Sequence, residues 1–252
     1  MIKTTHVLVL LSVVVGIGAS LGLTGASQFP QTSQQNSPLD KSKDVQPEQQ
    51  SMITQSLNPS IPANQLAEIE QMVEIPSGFI LTTSQSVTMD GEAVWHLRYE
   101  RDDQQNQGLY GEHLSVVVSQ DSNRLKGITW MDAKLSHGDL PNQESAQKAA
   151  IAYLQDNAPD LLNSMDVQWI KPHDEQIQIR QETGEAQTVT ITGMKVKCYN
   201  PADGSYFWVI VGPQEQIITF ERDIIWSTNL GRRQTEKWLH DQWVAQQQTI
   251  PR

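Results

Sequence analysis

Cysteine is nearly absent: Cys198 is the only one in 252 residues. A single cysteine excludes an intrachain disulfide, and its distance from the N-terminus excludes a lipid-bearing thiol behind a leader. Basic side chains are also scarce, with 18 Lys and Arg against 29 Asp and Glu and a formal charge of -11. Such a balance repels nucleic acid and anionic membrane surfaces, so neither is an expected partner. Catalytic signatures are missing as well. None of His6, His96, His113, His137, His173 and His240 stands in a His-Glu-x-x-His arrangement, and there is no Gly-rich phosphate loop or Gly-x-Ser-x-Gly elbow. The carboxylates are scattered, so none is singled out as an acid or base. No cofactor and no metal are expected. Cys198 reads as a small buried strand residue, because nothing nearby in sequence offers the base that a thiolate needs. His96 and His113 fall on the polar phases of strands and could face each other, yet two solvated histidines are more usual there than a metal site.

One long apolar run is present. Residues 7–23 carry Val7-Leu8-Val9-Leu10-Leu11 and Val13-Val14-Val15 with no charge, after a short segment containing Lys3. Residues 1–27 therefore read as a signal peptide or an N-terminal membrane anchor, near the lower length limit of roughly 17 residues for a spanning helix. Residues 28–60, rich in Gln, Ser and Pro, cannot bury enough apolar surface to offset their ordering entropy and read as a disordered linker.

The remainder alternates between two periods. Leu66, Ile69 and Val73 recur at helical spacing over residues 64–73, and Pro76-Ser77-Gly78 stops that helix. Strands are expected at 79–83, 86–89 and 94–99, the last placing Trp95, Leu97 and Tyr99 on one face and His96, Arg98 and Glu100 on the other. Asp90-Gly91 is a tight hairpin turn. The strongest helix covers 142–157, where Ala146, Ala149, Ala150, Tyr153 and Leu154 form one stripe before Pro159. Strands follow at 167–171, 176–180, 188–192 and 195–199.

A hairpin occurs twice. Gly111-Glu112-His113-Leu114-Ser115-Val116-Val117-Val118 runs through a polar turn to Leu125, Ile128 and Trp130. Gly204-Ser205-Tyr206-Phe207-Trp208-Val209-Ile210-Val211 runs likewise to Ile217, Phe220 and Ile224. The order helix, strands, hairpin thus repeats, and the expected fold is α+β: two helix-on-antiparallel-sheet modules in tandem, over 61–138 and 139–228. The alternative is a chance match between two valine-rich hairpins in one continuous sheet. The helix Gln143-Glu144-Ser145-Ala146-Gln147-Lys148-Ala149-Ala150-Ile151-Ala152-Tyr153-Leu154 with the second hairpin resembles a PepSY domain, clearly over 140–226 and weakly over 61–135. That resemblance implies a small extracytoplasmic bacterial module, found among other places in the propeptides of secreted peptidases. It implies no catalytic residues, and a role in restraining peptidases.

The C-terminal stretch 229–252 combines adjacent arginines with two tryptophans in an otherwise acidic chain, and the spacing of Trp238, Leu239 and Trp243 suggests a helix. Either this helix packs its indoles on the sheet while the arginines pair with acids, or Arg232, Arg233, Trp238 and Trp243 form a partner-binding surface. Function is expected to be non-enzymatic: an extracytoplasmic envelope protein, secreted or tethered, that binds an envelope or secreted protein such as a peptidase and meets the membrane only through its N-terminus. A hydrolase with a site between the modules and a structural subunit of a surface or secretion complex are the alternatives. A cavity enclosing His96, His113 or Cys198 beside a carboxylate would favour the hydrolase.

Overall fold

The computed structural model describes residues 60–248 apart from Glu182. The expected signal peptide or anchor at 1–27 and all but the last residue of the expected linker at 28–60 lie outside the described residues. In chain order the elements are α1 (Ala63–Met72), β1 (Phe79–Met89), β2 (Glu92–Arg101), β3 (His113–Ser119), β4 (Leu125–Met131), α2 (Gln143–Asn157), β5 (Asp166–Arg180), β6 (Ala186–Asn200), β7 (Ser205–Val211) and β8 (Ile217–Ile224). A short ribbon, β9 (Trp226–Ser227) with β10 (Arg232–Arg233), and the helix α3 (Asp241–Gln248) close the chain. The architecture is α+β, and its sheet is antiparallel throughout.

Eight strands form one sheet in the order β1-β2-β3-β4-β8-β7-β6-β5. Two four-stranded meanders therefore meet at β4 and β8, where Gly127, Ile128 and Thr129 pair with Glu221, Phe220 and Thr219. Gly127 is required at this seam: a Cβ there would lie 2.6 Å from the Phe220 carbonyl oxygen and 2.7 Å from Leu239. The Thr129 and Thr219 hydroxyls, 2.8 Å apart, hydrogen-bond across it.

Both long helices pack on one face of the sheet. Ile69 from α1 and Ala146, Ala150 and Leu154 from α2 join Leu97, Tyr99, Val116, Val196, Phe207, Val209 and Phe220 in a single core. Alanines at the contact let α2 lie close to the strands, and its Asn142 side chain accepts from Ser145 N at 2.9 Å as an N-cap. Asp90 and Gly91 both have positive φ (49° and 80°), as the two-residue turn between β1 and β2 demands.

The opposite face is more polar and is closed from two sides. Distal halves of β5 and β6 curl over it, so that Gln178 N donates to Tyr110 O and Arg180 N to Asn106 Oδ1, both at 2.6 Å. Ile177 and Ile191 on this arm pack with Met131, Leu135, Trp208 and Ile210 in a second core. From the other side comes the C-terminal strap, whose Leu239 enters the same core.

Three expectations need correction. Residues 79–89 form one strand with a bulge between Leu81 and Thr83, and 166–180 and 186–200 are single fifteen-residue strands. The polar stretch around Pro172 suggested an interruption, but β5 is an edge strand, where a missing N–H breaks no ladder bond. The histidines at 96 and 113 are not solvated: both are 3 % exposed, and they pair with Val117 and Glu100 rather than with each other. Finally, the C-terminal helix begins only at Asp241 and runs to Gln248, the last described residue, while Arg232 and Arg233 are extended and pair with Ser227 and Trp226. The reason is tertiary: residues 234–240 connect Arg233, paired with Glu221 on β8, to Asp241, paired with Arg98 on β2.

Candidate functional site

The strand β2 presents alternate residues to the strap face, which puts His96, Arg98 and Glu100 there, all buried. Arg98 is the hub. Its Nε donates to Glu100 at 2.7 Å, its two terminal nitrogens donate to the Asp241 carboxylate at 2.7 and 3.2 Å, and one also donates to Gly108 O at 2.6 Å. Asp241 in addition accepts from Tyr110 N. Burial pushes this carboxyl up, but His113, Arg98 and the hydrogen bonds outweigh it and hold the group below the usual range.

A second hub is Glu221 on β8, 2 % exposed. It accepts from Trp208 Nε1 at 3.1 Å and from Arg233 at 2.5 Å, and His240 Nε2 lies 2.9 Å away. Burial alone would raise its pKa; Arg233 and His240 override that and hold it well below the carboxylate range. Glu175, on the curled arm, bonds His173 at 3.1 Å and is likewise lowered, burial being outweighed by His173 and His240.

Between these hubs lies a cavity of about 520 Å³ lined by Tyr110, His113, Thr129, Glu175, His240 and Asp241, among others. His113 Nδ1 is 2.8 Å from the Gly111 carbonyl oxygen and 3.7 Å from Asp241. A carbonyl only accepts, so Nδ1 carries the hydrogen and Nε2 is a bare, buried acceptor without a partner among the described residues. Burial, followed by Arg98, pushes this imidazole down to about 4. His96, whose Nδ1 is 2.9 Å from the Gln85 amide, is pushed to about 4 by the same two causes. Both rings are therefore neutral at pH 7.

The arrangement has a histidine beside a carboxylate, and near Glu221 and Glu175 the Lys195 amine is pushed down to about 8, chiefly by burial, but the Thr129 hydroxyl and the Cys198 thiol are not activated. Thr129 Oγ1 is engaged by Thr219, and Cys198 lies on the helix-side core with its thiol pushed up to about 12 by burial. Among the described residues no group of three or more His, Cys, Asp or Glu side chains could hold a metal ion.

The fold brings Trp238 and Trp243 together and separates Arg232 from Arg233 in environment. Arg232 is exposed. Arg233 is not on the surface: its side chain is 5 % exposed and committed to Glu221, Thr235 O and Glu236 O. Trp238 is half-buried, donates to Thr88 O at 2.9 Å, and stacks edge-on against Trp243 with ring centroids 4.6 Å apart. The tail is thus built into the body, and the sequence signal was the right residues without their destinations. Missed entirely was a second aromatic group. Trp169, Tyr206 and Trp226 surround the Lys197 ammonium at 5.7, 4.5 and 5.4 Å, and Lys171 lies 5.9 Å from Trp169. The register of β5, β6 and β7 creates that group, and separation in sequence hides it.

No protein-family model, curated protein or solved structure matches the chain.

Proposed function

We propose that this is a non-enzymatic bacterial envelope protein, exported or tethered through its apolar N-terminus, whose tandem PepSY-like modules bind another protein. Supporting the modular reading is the recurrence of a helix followed by a four-stranded meander, with α1 and β1 to β4 in one half and α2 and β5 to β8 in the other. A secreted or envelope peptidase suits the resemblance as a partner. The observation that carries the binding reading is the β1 edge. Its eleven residues, Phe79–Met89, contain no charge, proline or glycine, and no strand among the described residues pairs with its outer side. Sheet edges are ordinarily blunted by such residues because open backbone groups recruit other chains. The other edge, β5, has Pro172, Lys171, Asp174 and Glu175 and is held at its far end by the 106–110 loop. An edge left open on one side only is a surface for strand addition by a partner.

The test uses Ile80→Lys with Thr83→Lys, two exposed positions on β1. Capture of a specific envelope protein by the wild-type chain should be lost in this variant while its melting temperature is kept. Equal capture by both would overturn the edge as the binding surface.

The cavity holding His113 beside Asp241 favours a hydrolase as a second reading. Turnover of peptide, ester or glycoside substrates that His113→Gln abolishes without unfolding would establish it. Against it stand the salt bridges that commit Asp241 and the occupied hydroxyl of Thr129.

A further inference from the structure

The half of the strap face beyond Trp208 has a different character from the buried network. Trp169 and Lys171 on β5, Lys197 on β6, Tyr206 on β7 and Trp226 on β9 form one continuous group, in which each lysine nitrogen lies within 6 Å of an aromatic ring. In a chain of net charge -11 these two lysines make no ion pair among the described residues. The carboxylate at this end, Asp166, sits opposite Tyr199 and accepts from Gln168. Trp226 is 44 % exposed, and Ile225 and Leu230 on the same ribbon are 39 % and 61 % exposed. Three of the five large hydrophobic side chains left exposed among the described residues therefore crowd within six positions. Arg232, also exposed, lies on the second strand of that ribbon.

We infer that this patch docks an acidic, extended segment of the partner protein, with carboxylates placed on Lys171 and Lys197 and apolar side chains on Trp226 and its ribbon. The inference rests on the protein-binding reading above and adds the chemistry of the partner. Charge complementarity names the anion: two ammonium groups without an ion-pair partner among the described residues, Lys197 beside three rings and Lys171 beside one, favour a carboxylate over a cation, and the acidity of the rest of the chain keeps polyanions away elsewhere. Aliphatic Ile225 and Leu230 favour a polypeptide over a glycan or a single-stranded nucleic acid, which would use the flat rings and the charges but not branched aliphatic side chains.

Fluorescence anisotropy of dye-labelled poly-L-glutamate, titrated with the full chain at low salt, tests the inference. Saturable binding is expected despite the net repulsion between two acidic molecules. It should weaken about tenfold in Lys171→Gln with Lys197→Gln, which removes both ammonium contacts. Trp226→Ala should weaken it too, and Lys148→Gln on the exposed side of α2 should leave it unchanged. Circular dichroism would certify that each variant is folded. No saturable binding, equal binding by the double variant, or tighter binding of polygalacturonate or oligothymidylate would each overturn the acidic-segment assignment. Because Ile80 and Thr83 lie outside this patch, loss of partner capture on their substitution would leave the protein-binding reading standing even then.

Discussion

Replacing Arg233 by alanine should destabilise the protein by about 3 kcal/mol, while replacing its neighbour Arg232 should change stability by less than about 0.5 kcal/mol. The difference follows from where each guanidinium ends. Arg233 and Glu221 are paired at 2.5 Å with side chains only 5 % and 3 % exposed, so truncation leaves a buried carboxylate facing Trp208 and His240 alone. Breaking a buried pair typically costs about 3 to 5 kcal/mol, and the remaining partners of Glu221 place this case at the lower end. For a body of this size the loss corresponds to roughly 6 to 12 °C in melting temperature. The pH dependence gives a second readout. The Glu221 pKa is depressed in the folded state, so its contribution is present above the ordinary carboxylate pKa and is lost as pH falls towards the folded value. Without Arg233, burial becomes the dominant influence and the carboxyl is more readily protonated. The stability gap between wild type and Arg233→Ala should therefore narrow between pH 7 and pH 4. Urea titrations followed by tryptophan fluorescence at both pH values measure it. Equal effects of the two arginines, or a gap that widens in acid, would refute the reasoning.

Both His96 and His113 are pushed from about 6.5 to about 4 in the folded state, so the unfolded chain binds more protons and stability should fall as pH drops from 6.5 to 4. His113→Gln should flatten that part of the stability profile measured by thermal melts. Gly127→Ala should cost about 1 to 3 kcal/mol by pushing Phe220 and Leu239 away at the seam, visible in denaturant midpoints. Ala150→Asp should cost several kcal/mol, because position 150 is 1 % exposed and would hold an unpaired carboxylate; an unchanged melting temperature would contradict the helix packing described. Trp238→Ala should cost about 2 kcal/mol, below the value for a full core indole, since that ring is half-buried and loses its bond to Thr88 O.

What was legible in the sequence was whatever is decided locally. The α2 stripe of Ala146, Ala150 and Leu154 is buried as its spacing indicates, and Trp95, Leu97 and Tyr99 lie opposite His96, Arg98 and Glu100 as strict alternation requires. Asp90-Gly91 forms its turn because few other pairs tolerate two positive φ angles. What was hidden is decided by partners far away in sequence. Polar residues on β2 read as solvated because nothing local shows that Asp241, 143 positions from Arg98, comes to cover them. The tail read as one helix because spacing alone cannot show that Arg233 must reach Glu221 while Asp241 reaches Arg98. Long strands were split for the same reason: polar and proline-bearing stretches look like turns until the pairing strand is known.

The chain forms one continuous sheet, and the seam explains how its two meanders join. Each meander ends in a strand, β4 or β8, that would be an open edge if it stood alone. Pairing these two strands antiparallel removes both edges at once and leaves one face for the two helices and the other for the strap. Only the outermost strands then need protection. β5 receives it from charges, a proline and the loop that carries Tyr110, whereas no strand among the described residues covers β1, whose Thr88 carbonyl is met by the Trp238 indole. Folding stability does not account for that asymmetry, because an open edge adds nothing to the core. The proposed partner strand would account for it, which is why the β1 substitutions discriminate between a binding protein and a structure closed on itself.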